Sequence, residues 1–76
     1  MFQVKSINKV FKEDNIPVTL IQAKGYFYYL YDLPEHYVFE TTAVYVNSLG
    51  QLTKDEWIRR GREFAVEVEY KKGVNR

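Results

Sequence analysis

Apolar positions change their period along this 76-residue chain, and the changes divide it into five elements. Over residues 3–14, QVKSINKVFKED, Val4, Ile7, Val10 and Phe11 recur at helical spacing while Lys5, Lys9 and Lys12 fall on the other side. That spacing predicts a helix. Asn15 serves as its stop, and Pro17 two residues later forbids continuation. Residues 17–23, PVTLIQA, are β-branched and apolar and read as a first strand, with Pro17 at the position where a missing N–H is tolerated. Lys24-Gly25 then forms a two-residue hairpin turn, because glycine supplies the positive φ that tight hairpins need. The second strand, residues 26–32, lies in the aromatic run GYFYYLYD. Turn residues from Asp32 to His36 make the next loop, a third strand covers 37–46, and Asn47-Ser48-Leu49-Gly50 ends it.

A capping signal follows. Thr53 stands at the N-cap with Glu56 three residues on, and Leu52 and Trp57 flank them as a hydrophobic staple. A helix over 54–71 carries Trp57, Ile58, Gly61, Phe64, Ala65 and Val68 as one stripe. Asp55–Arg59, Glu56–Arg60, Arg59–Glu63 and Glu67–Lys71 are opposite charges at i,i+4, each worth about 0.2–0.5 kcal/mol when formed. Residues 64–70, FAVEVEY, also alternate as a strand would; the cap and the charge pairs favour helix. Residues 73–76 read as a loose tail. The predicted fold class is α+β: one domain of order α-β-β-β-α, its three-stranded antiparallel meander covered on one face by both helices.

The hairpin turn sets which strand residues share a face. With Lys24 and Gly25 as the turn pair, Leu20 lies opposite Tyr29, Ile21 opposite Tyr28 and Ala23 opposite Tyr26. Matching aliphatic to aliphatic puts Val18, Leu20, Phe27, Val44 and Val46 under the helices and leaves Tyr26, Tyr28 and Tyr45 on the uncovered face. The loop before the third strand does not fix its register, so this step rests on side-chain matching alone. Two readings of the tyrosines stand side by side. They pack on one another across strands, at about 0.2–1 kcal/mol per pair, or they form a contact patch of the kind where tyrosine concentrates.

Composition sharpens this picture by exclusion. Aromatics reach 17%, with seven Tyr, while the formal net charge is only +1, so the chain is no bulk polycation. Residues 16–52 sum to −2 and residues 53–76 to +2. There is no cysteine, which excludes disulfides and thiolate metal sites and suits a cytoplasmic protein. No run has the length of a signal peptide's apolar region or of a membrane span, so no membrane association is expected. His36, the one histidine, shares a loop with Asp32 and Glu35 but lacks a nucleophile or a full ligand set. No enzymatic activity and no cofactor or metal are expected. Arg59, Arg60 and Arg62 form the densest basic cluster, either a solvated helix face or, with Lys54, a charged contact surface.

The element order resembles that of the double-stranded-RNA-binding domain, whose second helix opens with groove-straddling lysines. Here that helix opens Thr53-Lys54-Asp55-Glu56, so acids stand where that family has bases and only Lys54 carries over. The Lys24-Gly25 turn is also too short to reach a minor groove. In style, residues 15–65, with NIPVTLIQAKGYFYYLYD and TTAVYVNSLGQLTKDEWI, resemble small proteins encoded by phages, prophages and plasmids. That resemblance implies an accessory protein that acts by binding a host or phage macromolecule, inhibitors of host defence being one such class. The expected function is therefore a non-catalytic protein-binding module using Tyr26, Tyr28 and Tyr45, with a homodimer through the open sheet face as a variant. Nucleic-acid binding through Lys54 and the arginines is the alternative.

Overall fold

The computed structural model describes residues 1–76 and has the order α1 (Val4–Glu13), β1 (Val18–Ala23), β2 (Tyr26–Leu33), β3 (Val38–Val44) and α2 (Lys54–Lys72), with single 3₁₀ turns at Pro34–His36 and Leu49–Gln51. The strands form one antiparallel sheet of order β1-β2-β3 with both helices on one face.

Each boundary has a local cause. At the start of α1, the Ser6 hydroxyl accepts from the Gln3 N–H at 3.0 Å and donates to the Gln3 carbonyl at 2.6 Å. At its end Asn15 takes φ 56, so that the Ile16 N–H closes on the Phe11 carbonyl at 2.8 Å and the Asn15 N–H on Lys12 at 3.2 Å. Those two bonds satisfy the last carbonyls in a Schellman arrangement. Gly25 at φ 86 makes the hairpin turn and seats Ala23 opposite Tyr26. The third strand is shorter than the predicted 37–46. Tyr37 leaves the extended region at φ 56, and beyond Val44 the Val46 N–H folds back to the Val44 carbonyl.

At the start of α2, Thr53 caps through its hydroxyl, which accepts from the Glu56 N–H at 3.1 Å. The return half of the expected capping box is not made. The Glu56 carboxylate turns instead to Arg59 at 2.6 Å and Arg60 at 3.4 Å, where two guanidinium groups offer stronger partners than one amide. Of the four charge pairs read from the sequence, Glu56–Arg60 and Arg59–Glu63 form, while Lys71 and Lys72 reach across to Glu40 on β3 at 3.6 and 3.3 Å.

Residues 64–70 are helical throughout. Phe64, Ala65 and Val68 are buried while Val66 and Tyr70 are exposed, a burial period of 3.6 that a strand could not give. The C-terminal residues are not a free tail. Val74 packs on the core, and Arg76 bonds to Glu69 at 2.6 Å and to the Asn15 carbonyl.

The core is aromatic. Tyr29 lies at its centre, with ring centroids 6.4 Å from Phe11, 6.2 Å from Trp57 and 6.3 Å from Phe64. Its hydroxyl donates to the Trp57 carbonyl at 2.6 Å, and the Trp57 indole N–H donates to the Leu49 carbonyl at 2.8 Å. Tyr31, also fully buried, donates to Glu69 at 2.9 Å. Large rings with polar tips thus fill a small core without leaving any buried side-chain donor or acceptor unmet.

Candidate functional site

Register decides what the uncovered face displays. β2 pairs with β1 through Thr19↔Leu30, Ile21↔Tyr28 and Ala23↔Tyr26, and with β3 through Tyr28↔Ala43, Leu30↔Thr41 and Asp32↔Phe39. Side chains alternate across the sheet, so all these residues share the face away from the helices. The other row, Phe27, Tyr29, Tyr31 and Leu33 with Val38 and Val44, is buried beneath them.

The structure brings Tyr26, Tyr28 and Tyr45 together on the open face. Tyr26 stands between the other two, its ring centroid 6.2 Å from Tyr28 and 5.8 Å from Tyr45, with tilted planes. Tyr45 is 84% exposed; Tyr26, between two rings, and Tyr28, against one, are half-buried. Ala43, opposite Tyr28, is too small to fill its position, and a shallow depression opens there between the three tyrosines and Thr41. Mutual packing and exposure coexist, since the rings touch each other yet nothing covers them. Phe39, 66% exposed, extends the apolar surface toward the far end of the sheet. It was absent from the site read from the sequence, although its parity with Thr41 and Tyr45 was the available signal. Along the paired residues of this face the only charge is Asp32, beside Phe39.

The basic cluster lies on the other side of the molecule and is largely neutralised. Arg59 bonds to Glu56 at 2.6 Å and Glu63 at 2.9 Å, and Arg60 shares Glu56. The Arg59 contact holds the Glu56 carboxyl below its usual range, and Glu56 in turn raises Arg59. Arg62 points elsewhere, to Asp14 at the end of α1. Lys54 begins α2 and belongs to none of these pairs. The four basic residues therefore do not converge on one anion-sized site. No three His, Asp or Glu side chains come together, and no helix is long and apolar enough to cross a membrane.

Burial pushes the Tyr29 hydroxyl well above its ordinary range. Burial, then the bond to the Glu69 carboxylate, pushes Tyr31 up to about 12. Both belong to the core and not to the open face.

The fold and this face define a small α+β domain with one uncovered, nearly uncharged aromatic sheet surface. No protein-family model, curated protein or solved structure matches the chain significantly.

Proposed function

We propose that this protein is a non-catalytic binding module whose open sheet face, centred on Tyr26, Tyr28 and Tyr45, takes a protein partner. The observation that carries the reading is the contrast between the two sides of the sheet. Rings face the core on one side, and on the other a second set of rings stands uncovered with no lysine, arginine or glutamate among the paired positions. Tyrosine-rich surfaces depleted of charge suit the centre of a protein interface, where removing ammonium and carboxylate groups from water would be costly. The arginine surface favours this reading over phosphate binding, because three of its four cations already have carboxylate partners. The resemblance of residues 15–65 to phage- and plasmid-encoded proteins makes a host macromolecule, such as a defence component, the natural class of partner.

The test is a paired capture experiment. Tyr26→Ser with Tyr28→Ser leaves the core row untouched, so the circular-dichroism spectrum should be retained while proteins captured by the native chain are lost. Unfolding of that variant, or capture that is indifferent to it, refutes the reading. Strong retention of duplex RNA or DNA at low salt, falling at a log–log slope of about −0.9 per phosphate neutralised on B-DNA, would favour the nucleic-acid alternative.

A further inference from the structure

The two edges of the sheet are unlike. On β1, Leu20 turns its peptide groups away from β2, and Asn8 of α1 meets both of them. The Leu20 N–H donates to Asn8 Oδ1 at 2.7 Å, and Asn8 Nδ2 donates to the Leu20 carbonyl at 3.0 Å. One carboxamide thus occupies the place of a neighbouring strand's peptide. Outward-turned Leu20 also fixes the alternation of the whole ladder. Tyr29, its partner, bonds toward Thr42, so Phe39, Thr41 and Ala43 direct their backbone groups away from the sheet. β3 is the last strand, and none of the loop or side-chain hydrogen bonds reaches these three residues.

Exposed edges are ordinarily guarded by lysine, proline, a bulge or an inward charge. β3, VFETTAV, has neither lysine nor proline, and its ladder runs unbroken from Val38 to Val44. Its one guard is the inward charge of Glu40 on the helix side, which Lys71 and Lys72 compensate. The strand is also self-complementary. About a two-fold axis through Thr41, an antiparallel copy sets Thr41 against Thr41, Phe39 against Ala43, Val38 against Val44 and Glu40 against Thr42. The largest side chain of the edge meets the smallest, the valines meet on the core side, and no like charges oppose each other.

We propose that a second copy of this chain adds at β3, pairing antiparallel about Thr41 in an isologous dimer with a six-stranded sheet. The helices of both copies fall on one side and both tyrosine clusters on the other. The dimer uses the edge of the strand and not the ring face, so it goes beyond the function proposed above and can fail independently of it. A single edge pairing lies at the small end of stable interfaces, so association is weak and concentration-dependent.

The experiment is sedimentation velocity of the full chain over a concentration series, with three substitutions. Thr41→Pro removes an outward N–H that no internal bond uses, and Thr41→Lys sets two ammonium groups at the axis. Each is expected to weaken association at least tenfold while the monomer keeps its circular-dichroism spectrum. If the proline variant does not fold, the cross-linking comparison that follows decides, because the Thr41 side chain also borders the tyrosine depression. Because the chain has no cysteine, Thr41→Cys supplies a lone thiol. Directly opposed residues stand about 5.5 Å apart at Cα, within the roughly 4.4–6.8 Å range of disulfides. Mild oxidation should therefore link Thr41→Cys at least tenfold faster than Thr19→Cys on β1. A chain that stays monomeric at every concentration overturns the proposal. So does a dimer indifferent to Thr41→Lys but abolished by Tyr26→Ser with Tyr28→Ser, which would show pairing through the ring face.

Discussion

Gly61 of α2 lies directly against the Phe11 ring of α1, and replacing it by alanine tests the packing of the core. In an isolated helix that change stabilises by about 1 kcal/mol, since glycine forfeits more backbone freedom on folding. Here a Cβ at Gly61 would run into Phe11 Cζ and would lie 2.7 Å from Cε1 and 3.1 Å from Cε2. The Phe11 ring cannot simply swing aside, because it is fully buried and packed edge-to-face with Tyr29. Either the helices separate or the ring leaves its rotamer, and forced overpacking costs about 1–3 kcal/mol. A contact this short belongs at the top of that range, so Gly61→Ala should destabilise by about 2 kcal/mol net of the helix gain. A domain of this size has about 4–11 kcal/mol in total. With a urea slope near 1 kcal/mol/M, the unfolding midpoint should fall by about 2 M. Combining Gly61→Ala with Phe11→Leu frees the space and should recover part of the loss, a coupling of about 0.5–3 kcal/mol in a double-mutant cycle. A Gly61→Ala midpoint at or above that of the native chain, or strict additivity with Phe11→Leu, would refute the close approach.

Asn8→Ala strips both partners from the Leu20 peptide groups on a part-buried edge; equilibrium unfolding should show a loss of about 1–3 kcal/mol, and a change within 0.5 would contradict the bridging geometry. Alkaline unfolding supplies a third check. The folded state holds Tyr31 at about 12 against an ordinary value of 10.0, so its protonated hydroxyl contributes stability that is complete below about pH 10 and lost as pH rises toward 12. Circular dichroism should therefore decay across that window together with tyrosinate absorbance, and Tyr31→Phe should move the transition to higher pH.

Much of the architecture was legible because each element carries one period and a local stop. Pro17, Gly25 and Thr53 fix three boundaries through local chemistry, and a two-residue turn leaves only one β1–β2 register. The open-face tyrosines followed from that register and from the preference of valines for the covered side. What stayed hidden depends on partners distant in sequence. Nothing in the sequence near Asn8 announces Leu20 as its partner. Gly61 sat within the apolar stripe with no sign of the ring that requires it. Glu56 was read as a cap partner, although its choice between an amide and two arginines depends on side-chain reach. Arg62 belonged to a basic cluster until Asp14, at the end of the other helix, claimed it.

The Asn8 carboxamide has one more consequence, for how far this sheet can grow. An open sheet with two bare edges is a bivalent monomer, and strand addition at both ends is the step that builds filaments. Occupying the Leu20 peptide groups from within blocks the middle of one of those edges. A strand joining at β1 would have to displace the Asn8 carboxamide, a cost that Phe39, Thr41 and Ala43 do not impose on the other side. A single amide side chain thus biases the direction in which this sheet can grow.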